Sequence, residues 1–338
     1  EEASILKRIT MLSRRLAQLL EDAFRRRKQA ILFLNRRGFA SSLFCGRCGG
    51  TVRCTRCSLS MTLHRSHGTI LCHHCGHETP VPVNCPECGG PGLARLGTGT
   101  ERLEDAVRAV FPGVRMARMD SDSMHDRESY ESVLRAFGKG ELDLLLGTQM
   151  IAKGLHFPGV VVVGVVSADQ GLAVPDFRSS ERTFQLVAQV AGRAGRADEP
   201  GRVVVQTMQP RHPALVAAAN HDFDGFAARE LEDRKRYGWP PFSRLVRAVI
   251  TARDDAASRR RAGEIADAVR EVLPAGGGDV LGPSPCPVHK VRDRYRWHAV
   301  VRAADLAVQH AVVLRLARFS PRAGGTDLTI DVDPADLT

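Results

Sequence analysis

The sequence predicts an α/β fold: a parallel sheet covered by helices, interrupted by a two-zinc insertion and followed by a small α+β domain. Three observations lead there. Short apolar runs alternate with amphipathic stretches along most of the chain, the pattern of strands buried on both faces by helices. Eight of the nine cysteines crowd between Cys45 and Cys88. The alternation then breaks at Gly238-Trp239-Pro240-Pro241-Phe242, a turn that marks a new domain. The 338 residues leave room for two or three domains of roughly 100–200 residues each. The expected divisions are 1–44, the start of the α/β domain; 45–92, the zinc-binding insertion; 93–209, the rest of the α/β domain; and 210–338, a helical linker with the α+β domain.

Each element follows from its own pattern. Ile5, Ile9, Leu12, Leu16, Leu19, Ala23 and Phe24 recur at helical spacing and leave the arginines mostly on polar faces, so the opening segment predicts an amphipathic helix. Ala30 to Leu34 reads as a buried strand, ended by Asn35-Arg36-Arg37-Gly38. Beyond the cysteines the pattern predicts helices over 101–110, 127–138 and 180–191, and strands over 114–119, 142–146, 160–166 and 202–207. Residues 212–236 read as helical and charged. The last domain reads strand 245–252, helix 256–273, flexible Gly276-Gly277-Gly278, a strand, a loop, strand 295–302, helix 306–319 and strand 328–332.

Composition narrows the classes. Hydrophobic residues are 43% and charged residues 25%, which excludes wholesale disorder. The longest aliphatic run, Val160 to Val166, falls far short of the roughly 20 residues that span a bilayer. The opening residues carry no basic-then-apolar signal, so a cytoplasmic fragment without a membrane partner is expected. A net charge of +10 favours an anionic partner without naming it.

The cysteine spacing is Cys45-x2-Cys48-x5-Cys54-x2-Cys57-x14-Cys72-x2-Cys75-x9-Cys85-x2-Cys88. Each Cys-x2-Cys pair forms a knuckle that presents two thiolates to one cation, so four pairs supply two closed tetrahedral zinc sites. The 14-residue gap resembles the spacing of a zinc-ribbon hairpin and joins Cys54, Cys57, Cys72 and Cys75. Cys45, Cys48, Cys85 and Cys88 then take the second ion, and the sites nest. Four thiolates leave no position for water, so both zincs are structural rather than hydrolytic. Disulfides are the rival reading; they suit neither a reducing compartment nor a chain without a secretion signal. His64, His67, His73, His74 and His77 read as solvated or phosphate-contacting, because eight thiolates already fill both sites. Cys286 stands alone as a plain buried thiol, and Trp239 and Phe242 read as packing residues at the domain junction.

Two segments carry motor-like chemistry. Leu144 to Pro158 places a polar turn directly after a buried strand, where α/β sheets bind ligands; Gly147 permits close backbone approach, and Thr148 and Gln149 offer donors to a phosphate oxygen. Gln189-Val190-Ala191-Gly192-Arg193-Ala194-Gly195-Arg196 sets two arginines three residues apart after a long helix, suited to neutralising charge on a γ-phosphate held by a facing domain.

With Phe33 to Phe39, the eight nested cysteines, and Gly97-Thr98-Gly99-Thr100-Glu101, these segments resemble the second, RecA-like lobe of superfamily 2 helicases, and in this order they are similar to the PriA family of replication restart helicases. The resemblance covers essentially the whole chain. It implies an ATP-dependent 3′ to 5′ DNA helicase that recognises stalled forks and starts primosome assembly. It implies Arg196 as the arginine finger, Arg193 as a second γ-phosphate contact and Gln189 beside them in motif VI, with Gly154 among the nucleotide contacts. Thr148, Gln149 and Lys153 match the motif that tracks the DNA backbone, and Thr100 and Glu101 fall in a strand-tracking motif. Branched and single-stranded DNA, primosome proteins, the replicative helicase loader and single-stranded DNA-binding protein are the implied partners. ATP with Mg2+ is the implied substrate of the full-length protein. His156 departs from the Asp that many such lobes carry. No Gly-x4-Gly-Lys-Ser/Thr occurs, and Asp198-Glu199 lies in a turn, so the ATP cradle is expected in a lobe preceding Glu1, and the fragment alone is expected to be inactive.

A basic stripe closes the reading. If residues 289–298 are extended, Lys290, Arg292, Arg294 and Arg296 line one face at roughly 6–7 Å intervals, with Tyr295 and Trp297 opposite. Such a face follows a nucleic-acid backbone, and Trp297 stacks on bases or anchors the core. Two rivals stand beside the helicase reading. One is a non-motor zinc scaffold for primosome assembly, which the two arginines argue against. The other is a zinc hydrolase, which needs an open metal position.

Overall fold

The computed structural model describes residues 11–34, 42–57, 59–64, 68–95, 100–119, 127–148, 157–192 and 200–337. In chain order its elements begin with α1 (Arg14–Arg25) and β1 (Gln29–Phe33). The cysteine region holds β2 (Leu43–Cys45), β3 (Thr62–His64), β4 (Thr69–Leu71), β5 (Glu78–Pro80) and β6 (Leu93–Arg95). Next come α2 (Thr100–Val110), β7 (Met116–Met119), α3 (Arg127–Gly138), β8 (Leu144–Gly147), β9 (Val160–Val165), α4 (Asp169–Leu172), α5 (Ser179–Ala191) and β10 (Arg202–Val205). Helices α6 (Pro213–Ala219) and α7 (Phe223–Tyr237) follow. The chain finishes with β11 (Arg244–Ala252), α8 (Asp255–Arg270), β12 (Gly278–Val291), β13 (Arg294–Ala303), α9 (Leu306–Ala317), β14 (Arg322–Ala323) and β15 (Thr326–Val332).

The chain divides into two compact units, one of residues 1–38, 97–172 and 180–226, the other of residues 39–96, 173–179 and 227–338. The cysteine region is an insertion in sequence, yet it belongs to the unit of the C-terminal domain.

In the first unit five parallel strands lie in the order β10-β9-β1-β8-β7. Alternate side chains leave opposite faces. Ala30, Leu32 and Leu34 meet Leu16 and Leu20 of α1 and Leu103 of α2. Ile31 and Phe33 meet Phe137 of α3 and Phe184 and Val187 of α5. Such burial on both faces explains why these strands read as unbroken apolar runs. Gly164 interrupts β9 for a steric reason: a Cβ there would stand 2.5 Å from Leu32 Cδ2 and 3.0 Å from Leu16 Cδ1. From β8 to β9 the chain crosses β1, so the carboxyl ends of β1, β8 and β9 flank the reversal in strand order where open α/β sheets receive ligands.

Differences from expectation have local causes. The helical stretch expected over 212–236 is two helices, because His221 takes a φ of 55° and Asp222 Oδ1 accepts from the Gly225 amide at 2.8 Å, starting α7 afresh. Strand β7 begins at Met116 rather than residue 114, and the short α4 and β14 carry no periodicity to read. The part of the opening helix before residue 11 lies outside the described residues.

In the second unit an antiparallel sheet runs β12-β13-β11-β15-β14. Val246, Ala248 and Ile250 of β11 and Val301 of β13 pack under α8 and α9 with Ile265, Val269, Val312 and Leu316. The opposite face carries Leu245, Val300 and Leu281, and these join Cys57, Cys72 and Ile70 of the cysteine region. The sheet is thus closed by helices on one side and by knuckles on the other. Trp239 is 3% exposed, stacks on Phe177 at 5.4 Å and donates its indole N–H to the Cys57 carbonyl at 3.4 Å. Phe242 corrects its expectation: it is 42% exposed rather than packed.

Candidate metal centres, motor residues and basic hairpin

The knuckles share one backbone design. The amides of Cys45, Cys54, Cys72 and Cys85 each donate to the carbonyl five residues on, Gly50, Leu59, His77 and Gly90, at 2.8–2.9 Å. In three of them a glycine follows the second cysteine with positive φ: Gly49 at 75°, Gly76 at 72° and Gly89 at 67°. An L side chain resists that conformation, so Cys-x2-Cys-Gly is a knuckle signature written in the sequence. Strands β2 and β6 pair at the neck of the module, with Cys45 opposite Leu93. Strands β3, β4 and β5 form its inner sheet.

These turns bring Cys45, Cys48, Cys85 and Cys88 into one group and Cys54, Cys57, Cys72 and Cys75 into another, each with its sulfurs within 4.8 Å of one another. Zinc bound to four thiolates at about 2.3 Å would set the sulfurs about 3.8 Å apart. The separations fit: 3.7 Å for Cys45–Cys88 and Cys48–Cys85, 3.5 Å for Cys54–Cys75 and 3.4 Å for Cys57–Cys72. They are far too long for disulfides, at about 2.05 Å. The donor set fits as well. Hydrogen bonds from Cys57, Cys72 and Cys75 hold the Cys54 thiol far below its ordinary value, while Cys54 pushes Cys57 and Cys72 up. Four adjacent sulfurs cannot all ionise unaided, and a dication relieves that conflict. Both groups are compatible with a zinc ion.

Two histidines depart from expectation. His73 and His74 are 2% and 0% exposed, not solvated. His73 donates through Nδ1 to the Pro285 carbonyl at 2.8 Å, and His74 through Nε2 to that of Pro175 at 2.6 Å. Burial lowers the His74 pKa to about 4. They bind the knuckle to its surroundings, a role that adjacency to ligands obscures in the sequence. His64 has a described backbone only, His67 is outside the described residues, and His77 is half-buried. Cys286 is fully buried, which raises its thiol pKa.

The motor residues are partly in view. Thr148 follows β8 at the carboxyl edge of the parallel sheet, half-buried, its amide 3.4 Å from the Met119 carbonyl. Gln189 is exposed near the end of α5, the helix that leads toward Arg193. Thr100 and Glu101 open α2, described in backbone only. Gln149, Lys153, Gly154, His156, Arg193, Arg196 and the Asp198-Glu199 pair lie outside the described residues.

The basic stripe needs correction. Arg292 and Asp293 take φ of 48° and 60° and form a two-residue hairpin turn between β12 and β13. The chain doubles back there, so Lys290, Arg292, Arg294 and Arg296 do not share one extended face. Lys290 lies opposite Tyr295, 3.2 Å from Asp293, and Arg292 is exposed at the tip. Arg294 pairs with Asp327 and donates to the Thr251 carbonyl at 2.9 Å. Arg296 reaches the Val288 carbonyl at 3.5 Å. Trp297 faces the helices, its indole N–H on Asp255 at 2.7 Å. Three arginines still gather at one end of this sheet.

Comparison with known proteins agrees with this architecture. The helicase conserved C-terminal domain matches residues 97–198, the PriA DNA helicase Cys-rich region matches 54–80, and the primosomal protein N C-terminal domain matches 235–335. Parallel lobe, Cys-rich region and antiparallel C-terminal domain together define a helicase-lobe protein with a zinc region. Replication restart protein PriA of Bacillus subtilis is 43% identical over 296 residues, covering 87% of this chain and 36% of that protein. Its counterpart in Treponema pallidum is 40% identical over 100% of this chain and 51% of its own, and that of Synechocystis is 36% identical over 97% and 40%. The chain belongs to the PriA family of replication restart proteins. It spans about half, or less, of the length of these relatives.

Proposed function

We propose that this chain forms the second motor lobe, zinc module and C-terminal DNA-binding domain of an ATP-dependent 3′ to 5′ DNA helicase that acts at stalled replication forks and starts primosome assembly. The observation that carries this is the parallel sheet with Thr148 at its carboxyl edge, within the stretch matched by a helicase C-terminal domain and preceding the Gln189 helix. In this reading a facing lobe holds ATP with Mg2+, and Arg193 and Arg196 neutralise charge growing on the transferred phosphoryl group, with Gln189 and Gly154 beside them. Thr148, Gln149, Lys153, Thr100 and Glu101 hold the tracked strand by its phosphates, which requires no sequence reading. Lys290, Arg292, Arg294 and Arg296 add phosphate contacts. The eight cysteines hold two zinc ions, which supply rigidity to the short knuckles. No described helix is long and apolar enough to cross a membrane, and action in the cytoplasm beside the primosome proteins, helicase loader and single-stranded DNA-binding protein accords with that.

The test is DNA-stimulated ATP hydrolysis by the full-length protein. Arg196→Ala is expected to lower turnover by about 10³-fold with nucleotide binding retained. Absence of activity in the unsubstituted protein favours the scaffold reading.

A further inference from the structure

The two cysteine groups differ in what covers them. In the inner group Cys54, Cys57 and Cys72 are buried, and both of its knuckles are held by distant chain. Trp239 donates to the Cys57 carbonyl at 3.4 Å. The His73 carbonyl, between Cys72 and Cys75, accepts from Ser284 Oγ at 2.6 Å and from His298 Nε2, while the His73 ring donates to Pro285. Leu245, Leu281 and Val300 of the C-terminal sheet pack on the same group. In the outer group Cys88 is exposed and Cys48 half-buried, and Pro86 and Glu87 between Cys85 and Cys88 are exposed. The framing bonds of the outer group stay within the module: Cys45 to Gly50, Cys85 to Gly90, and the short β2–β6 ladder, whose Leu43 and Leu93 touch the apolar layer.

Cys75 is half-buried, as Cys48 is, but reaching the buried Cys54, Cys57 or Cys72 requires the sheet to leave the module, opening several hydrogen bonds and an apolar layer together. Reaching Cys88 requires no opening at all. Local openings cost far less than sub-global ones, and exchange follows the cheaper route.

We propose that Cys45, Cys48, Cys85 and Cys88 form an exchangeable zinc site, open at Cys88 to chelators and soft electrophiles, while the C-terminal sheet locks the inner ion in place. This rests on the reading of two bound zincs. Because β2 and β6 are the strands by which the chain enters and leaves the module, release of the outer ion unfastens the neck and leaves the inner fold standing. Alkylation by N-ethylmaleimide illustrates the chemistry: sulfur forms a thioether with one alkene carbon, the other takes a proton from water, and the ion loses one ligand.

The experiment starts with total zinc in the purified chain. Fewer than two ions overturns the two-zinc reading and this inference with it. The protein is then treated with excess N-ethylmaleimide while 4-(2-pyridylazo)resorcinol reports free zinc. One equivalent is expected quickly and the second at least about tenfold more slowly. Peptide mapping after the first equivalent is expected to find label on Cys88, Cys85, Cys45 or Cys48, and none on the inner four. Trp239→Ala is expected to hasten the second phase alone. Two equivalents released at one rate, or first label on Cys54, Cys57, Cys72 or Cys75, overturns this inference and leaves the two-zinc reading intact. The mapping needs no variant, so it stands even if Trp239→Ala does not fold.

Discussion

Arg247 donates from Nε to Nδ1 of His298 at 3.0 Å, a cation resting on a neutral imidazole within the C-terminal sheet. The contact fixes the histidine as its Nε2–H tautomer, and that hydrogen goes to the His73 carbonyl in the knuckle. Burial first, then the charges of Arg247 and His74, hold the His298 pKa well below its ordinary value.

Acid is therefore expected to weaken the second unit. Below about pH 6.5 the unfolded chain protonates this histidine and the folded chain does not, so stability is full above that pH and declines as pH falls. His74, lowered to about 4, acts in the same direction. Urea midpoints at pH 7.5 and 5.5 check this: the wild type is expected to be weaker at 5.5, and His298→Gln is expected to show a smaller difference. Each pH unit in that interval is worth up to about 1.4 kcal/mol per histidine.

Cys54→Ser is expected to lose one zinc and keep the other, and Cys85→Ser likewise, because the two groups share no sulfur. Metal analysis of the purified variants decides it. Cys54→Ser is expected to be the more damaging to thermal stability, since its group also anchors Trp239 through the Cys57 carbonyl.

For the hairpin, Arg292→Ala is expected to weaken DNA binding and to reduce the slope of log affinity against log salt by about one. Arg294→Ala is expected to do less, because Asp327 already neutralises that guanidinium. Titrations at several salt concentrations measure both, and equal slopes for wild type and Arg292→Ala would remove the tip from the DNA surface.

Gly164→Ala is expected to destabilise the first unit by about 1–3 kcal/mol, because the new methyl meets Leu32 and Leu16, both 0% exposed and without room to retreat. Denaturant unfolding of wild type and variant checks it.

The parallel sheet was legible because its strands, buried on two sides, spell apolar runs such as Val160 to Val163. Cysteine spacing was equally informative: reach along the chain suffices to nest four knuckles. The hairpin was not legible. An Arg-Asp pair at positive φ lacks the Asn-Gly wording that announces such a turn, so alternation of basic residues passed for an extended stripe. Nor was the docking of the knuckles on the C-terminal sheet, since Ser284 and His73 stand 211 residues apart and the bond uses a backbone carbonyl, which no side-chain pattern encodes.

That separation also orders events at the ribosome. Chains fold from the amino terminus as they emerge, so the knuckles leave the exit tunnel well before strands β12 and β13 are translated. On the two-zinc reading the inner thiolates are most open to an ion during that interval, and the later strands act as masonry laid over a filled niche. Zinc scarcity during growth would therefore leave the inner site empty in newly made molecules and spare that site in those already finished.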